Sequence, residues 1–390
     1  MPLRRVHVLF ALVGVAEAAL LPFLPIVLHD RGLSAVEIGV VLSAASLAGF
    51  IAAPLWGHVA DRQLGAERTL VVAAFAAAIA AAPLAFVHSF AGLTVAVVAV
   101  TAARSSMSSL VDSIALDRLS RGARGDYGQI RLWLSVGWAI AACIWGLVLQ
   151  TGTLDLLPAV YGFSVVAVAI AARAAGSARP LHERAPRGAR RAMLRELATF
   201  LVSLLVLFAA FSATFSFLSV RIAELGGGLF VIGVATALQA VAEVPVMRLT
   251  PRLSRALGHR ALYIVGTAFM TVACVAWAFL DQTLAIALVK LLAGVGFALV
   301  YVGSVVLVDD LVPPSLRGTG QGVAKAVSFG LAPIVGSLAG GAIYDYAGPR
   351  ALFLASAAAT LFAGVLVWAV AARGARRAAL TVASAHEPQL

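Results

Sequence analysis

The sequence predicts an all-α membrane protein, with twelve transmembrane helices in two six-helix bundles and both termini cytoplasmic. Three observations predict it. The 390 residues are 62% hydrophobic and 12% charged, with a mean hydropathy of +0.98, whereas soluble domains carry about a quarter charged residues. Apolar runs long enough to cross a bilayer, which takes roughly 20 residues, recur along the whole chain. Arginines gather in alternate gaps between those runs.

The first run, 6–28, follows Arg4 and Arg5 and contains Ala16-Glu17-Ala18, which mimics a secretory signal. Its length and the eleven runs after it make it a span. The next five are 36–60, 69–88, 91–115, 132–151 and 157–173, closing an N-terminal bundle over 1–173. Residues 174–197, rich in Arg and Ala with Pro180 and Pro186, read as a cytoplasmic linker, helical near Arg190–Glu196. The runs 198–220, 229–250, 261–280, 283–308, 318–343 and 350–372 form a second bundle over 198–372, with 373–390 as a cytoplasmic tail. Pro22, Pro25, Pro54, Pro83, Pro245 and Pro333 should kink or end their helices. Gly336 and Gly340 have the spacing that lets helices approach closely.

Orientation follows from the excess of Lys and Arg in short cytoplasmic loops. With the N-terminus inside, 22 of the 29 basic residues are cytoplasmic and three, Arg31, Arg221 and Arg350, are outside. The net charge of +11 is therefore a topology signal, and no nucleic-acid partner is expected. Cys143 and Cys274 lie apart in apolar runs, which argues against a disulfide framework or metal site. The seven histidines stand at span ends, in loops or in the tail, so an intramembrane enzyme lacks its ligands or base. No phosphate-binding G-x-x-x-x-G-K-[ST] loop occurs. We expect a multi-pass inner-membrane monomer with no cofactor.

The halves echo one another at about 193–199 residues. Gly65-Ala-Glu-Arg68 recurs loosely as Gly258-His-Arg260, and Leu110-Val-Asp112 as Leu307-Val-Asp309. Two parallel repeats place a site between the halves near mid-membrane.

The second loop reads Gly57-His-Val-Ala-Asp61-Arg62-Gln-Leu-Gly65-Ala-Glu-Arg68. It resembles the G-x-x-x-D-R-x-G-x-R loop of the major facilitator superfamily, with one extra residue before the last Arg. Asp126-Tyr-Gly128-Gln-Ile-Arg131-Leu-Trp133-Leu-Ser135 is similar to the D-Y-G-x-x-R-L-W-G-S stretch of the phenylpropionate permease branch, related to lactose and nucleoside proton symporters. Val241-Ala-Glu243 and Arg317-Gly-Thr-Gly-Gln321-Gly322 also fit. Leu134 replaces a Gly of that pattern, Ala293 its tenth-span His, and Lys325 a usual aromatic. The resemblance implies the major facilitator fold and a cytoplasmic gate of Gly57, Asp61, Arg62, Gly65 and Arg68, with Asp126 and Arg131 beside it. Asp61 would face the start of the eleventh span, where the helix dipole favours an anion.

Charges at mid-membrane are costly and normally mark a pathway. Here they are Glu17, Arg104, Asp112, Glu243, Lys290 and Lys325. Glu17 and Glu243 are the candidates for proton coupling, because an acid's proton affinity responds to solvation and to a nearby cation. Asp112 is a third, equally suited to a gate pair with Arg131. Lys290 and Lys325, the only lysines, and Arg104 are candidate anion ligands. Phe208, Phe211 and Phe215 form a stripe beside Ser212, Ser216 and Ser219, and Tyr301 and Phe297 add aromatic surface. Phe211, Phe215, Ser212, Ser216 and Tyr301 could hold a flat ring with a polar tail, although plain packing with serines bonded to their own helix explains the stripe equally well.

These features predict a secondary active transporter working by alternating access, taking up an aromatic or other organic acid with protons. Nucleoside or sugar symport, proton-driven export and a transport-dead sensor are the alternatives.

Overall fold

A computed structural model describes residues 4–120, 127–175, 191–312 and 317–385, and these are helical with short connections. Among the described residues, eleven helices are long and apolar enough to cross a membrane. The last, Thr319–Ala369, has 51 residues, about two and a half times what a bilayer requires at 1.5 Å per residue. It is broken at Gly348, whose φ of +83° is followed by Pro349. Glycine tolerates that angle and proline has no N–H to continue the ladder.

The first run divides into α1 (Arg4–Leu20) and α2 (Leu24–Asp30), the break falling at Leu21-Pro22-Phe23. Pro22 there offers no backbone donor. Next, α3 (Ala35–Val59) starts at a capping box: Ser34 Oγ accepts from the Glu37 N–H at 3.2 Å, and the Ser34 N–H donates to Glu37 at 2.9 Å. It passes through Pro54 into a π turn, Ala60–Leu64, before α4 (Ala66–Ala81). The fourth run, expected to be continuous over 91–115, instead stops immediately after Arg104, giving α5 (Phe90–Arg104) and α6 (Met107–Ser120). Ser105 Oγ donates back to Ala102 O at 2.9 Å, the local bonding by which serine competes with helix propagation. α7 (Tyr127–Thr151) and α8 (Leu157–Ala175) complete the first half.

The second half contains α9 (Arg191–Glu224), α10 (Leu229–Leu257), α11 (His259–Phe279), α12 (Thr283–Leu311), α13 (Arg317–Ala326), a π turn (Val327–Leu331) and α14 (Ala332–Ala385). Most of the linker expected at 174–197 lies outside the described residues. α10 runs on through Pro245. The repeat is visible in the backbone: Gly65 and Gly258 share φ of +79° and +80°, as Gly32 and Gly226 share +83° and +79°.

Close packing rests on glycines. A Cβ on Gly14 would fall on the Leu134 carbonyl and one on Gly137 on the Ala11 carbonyl, which locks α1 against α7. Gly336 and Gly340 press α14 onto Ala209 and Ala213 of α9. Gly137→Val is therefore expected to destabilise by about 1–3 kcal/mol or more through overpacking. The check is the melting midpoint of purified protein, which an inert position would not move.

The halves meet along α3 with α14 and along α7 with α10. Among the described residues, hydrogen bonds from helix starts of one half to side chains of the other cluster at the end of the bundle opposite the termini, here called the far end: Asp345 with Ala35 and Val36, and Gln150 with Phe230.

Candidate functional site

In the first half Glu17 of α1 and Arg104 at the tip of α5 form a direct ion pair, each side chain 14% exposed. The break after Arg104 ends α5 where its guanidinium meets α1. Tyr161 of α8 is buried beside them, and its hydroxyl and Arg104 Nε have no hydrogen-bond partner among the described residues. Arg104 and Glu17, read from the sequence as anion ligand and proton carrier, are thus partners of one another.

In the second half three side chains make a chain. Lys290 Nζ of α12 donates to Gln239 Oε1 at 3.0 Å, and Gln239 Nε2 donates to Glu243 Oε1 at 3.1 Å. Gln239 and Glu243 share a face because they are four residues apart on α10. The ammonium sits 5.1 Å from the Phe215 ring centroid and 5.7 Å from that of Trp277, where the ring quadrupoles offset part of its lost hydration. Lys290 is only 5% exposed; Glu243 is half-buried.

From that lysine an aromatic lane descends. Phe215 neighbours Phe211 at 6.0 Å, Phe211 stacks on Phe297 at 4.9 Å, and Phe297 stacks on Tyr301 at 5.9 Å. Phe329 joins it, 5.1 Å from Phe208 and 6.3 Å from Tyr301. Phe329 is 51% exposed. Ser216 is buried and Ser212 half-buried beside it. Neither serine bonds to its own helix among the described residues, whereas Thr214 does so to Ala210 O at 2.9 Å.

At the end nearest the termini, Asp112 of α6 accepts from Tyr127 Oη at 2.7 Å and from Arg131 Nη1 at 3.1 Å. Burial and the adjacent carboxylate raise the Tyr127 phenol above its ordinary pKa. The Tyr301 hydroxyl lies within electrostatic range of both. Asp112, offered both as a proton carrier and as a gate partner of Arg131, forms an ion pair with Arg131. Asp61, Arg62 and Arg68 are exposed, and a Cβ on Gly57 would meet nothing. Gly65 caps α4 with its positive φ. The loop expected to join the halves makes no ion pair to the second half among the described residues, as suits halves that are shut at the far end. Lys325 is exposed on α13. Asp126 lies outside the described residues.

Sequence reading missed Gln239, Trp277, Tyr161 and Tyr127. Gln239 had a usable signal, being a carboxamide one helical turn before an intramembrane acid. Tyr127 stood inside the quoted Asp126-Tyr-Gly128 stretch without being given a role, and Trp277 and Tyr161 looked like ordinary aromatics, since nothing local says which helix they face.

The model of the MFS_1 like family matches residues 6–355. The chain is 28% identical over 380 residues to the maltose permease of Geobacillus stearothermophilus, covering 95% of this chain and 94% of that one. The crystal structure of a point mutant of the nucleoside transporter NupG superposes with a TM-score of 0.81 at 17% identity, covering 94% and 98%. That of the human organic anion transporter MFSD10 (TETRAN) does so with 0.68 at 19% identity, covering 94% and 100%.

Proposed function

We infer the function from one premise: the chain belongs to the MFS_1 like family. It is a multi-pass major facilitator protein, a secondary transporter of small solutes and not an enzyme. Beyond that, we propose that it carries an organic anion with an aromatic or otherwise flat apolar body, together with protons, across the inner membrane. Twelve spans with both termini cytoplasmic complete the proposal, so that the far end faces outward and this structure opens inward. The observation that supports the substrate class is the position of Lys290. A buried ammonium heads a lane of stacked rings and is tied through Gln239 to Glu243. A ring would lie along Phe211, Phe297 and Tyr301 while its carboxylate displaced Gln239 from the ammonium. Glu243, and Glu17 in the other half, would carry the proton.

A neutral sugar is the second reading, favoured by the maltose permease relative, and aromatic faces also suit sugar rings. Binding of aromatic carboxylates and of maltose to purified protein, with and without Lys290→Met, separates the two. We expect Lys290→Met to weaken carboxylate binding about ten- to hundredfold, the value of one charge-assisted hydrogen bond. Maltose binding that is unmoved by the change, with no carboxylate bound, would replace this reading with the sugar one.

A further inference from the structure

At the far end the two halves cap each other's helices. The backbone N–H groups of Ala35 and Val36, the first two of α3, donate to the two carboxylate oxygens of Asp345 at 2.9 and 2.7 Å. The N–H of Phe230, second in α10, donates to Gln150 Oε1 at 2.9 Å. The contacts are related by the repeat. Val36 and Phe230 differ by 194 in number, and Gln150 and Asp345 by 195. Each cap sits one helical turn from a glycine crossing: Gly341 against Ala35 and Gly39 in one, Gly146 against Phe230 and Gly233 in the other. A Cβ on Gly228 would strike the Gln150 carboxamide, so the glycine start of α10 leaves room for the reach of that side chain. The first N–H groups of a helix have no partner of their own. Separating the halves at this end therefore strips two helices of a partner at once.

We propose that Asp345 and Gln150 form a matched pair of latches that hold the outer side shut, one charged and one neutral. Asp345 is the stronger arm, with two bonds and a negative charge at the positive end of a helix. Gln150 holds one bond without charge. Each opening of the outer side exchanges these bonds for water, so the two residues set how often the central site faces outward. The inference needs the transporter assignment and not the substrate, and its failure would leave the Lys290 reading untouched.

The test is the rate at which Ser43→Cys reacts with a bulky maleimide, in the full chain with Cys143 and Cys274 changed to serine. Ser43 is buried between the halves, its hydroxyl on Ile334 O at 3.1 Å, so reaction reports separation. From the usual worth of a helix cap, Asp345→Ala should accelerate labelling about tenfold and Gln150→Ala about threefold. The double variant should show about the product, and Asp345→Asn a value in between. Gln150→Glu should slow labelling severalfold by adding a second anion at a helix start, a change of sign that loosened folding cannot produce. An unchanged rate in the double variant overturns the proposal, as does Gln150→Glu accelerating labelling as alanine does.

Discussion

Arg104→Met is expected to destabilise the protein by about 3–5 kcal/mol, because it leaves the Glu17 carboxylate buried with no cation. Glu17→Gln alone should cost a similar amount, since it strands the guanidinium instead. Arg104 Nε already lacks a partner, so Glu17 supplies the pairing that makes this burial tolerable. The double variant Glu17→Gln/Arg104→Met removes both charges and should recover most of the loss, as neutral replacements of buried pairs commonly do. Melting midpoints of the three proteins measure this directly. If the double variant melts as low as the singles, the mutual pairing of the two charges is not what the single variants lose. Transport by the double variant then asks a separate question: a stable protein that exchanges substrate but no longer accumulates it assigns the proton role to Glu17.

The sequence announces the membrane spans because hydrocarbon demands some 20 apolar residues at each crossing, and composition alone reports that requirement. The spacing of Gly65 and Gly258 was legible too, and both hold a positive φ, which glycine tolerates best. What the sequence could not show was which polar groups face each other. Arg104 and Glu17 read as separate sites because 87 residues lie between them; only the folded chain brings the end of α5 within reach of α1. Lys290 read as a free anion ligand because nothing in its own run indicates that Gln239, 51 residues away, is its partner. Asp345 lies between the last two apolar runs, where nothing local marks it. Its role depends on a helix start more than 300 residues earlier. Local rules are also weakest where serine competes with the ladder, which is why the interruption after Arg104 was unforeseen although the hydrophobic run itself was plain.

The second large effect is expected at Glu243, where Glu243→Gln should abolish proton-driven accumulation and leave exchange nearly intact. A glutamine there can still accept from Gln239 Nε2, so the chain that positions Lys290 survives, together with the Phe215 and Trp277 faces around the ammonium. What is lost is the carboxyl to which the proposed function assigns the proton. We therefore expect accumulation under an imposed pH gradient to fall about tenfold or more, the scale of a lost proton-transfer group, while counterflow between equal pH values changes little. Gln239→Leu should do the reverse. It keeps both ionisable groups but leaves Lys290 and Glu243 without the amide between them, and buried polar groups stripped of a partner cost about 1–3 kcal/mol each. Binding and stability should suffer before coupling does. The two variants can be compared in one proteoliposome preparation by measuring counterflow and gradient-driven uptake side by side. Accumulation that persists in Glu243→Gln would move the proton to Glu17, and accumulation that persists when both acids are glutamine would remove protons from the mechanism.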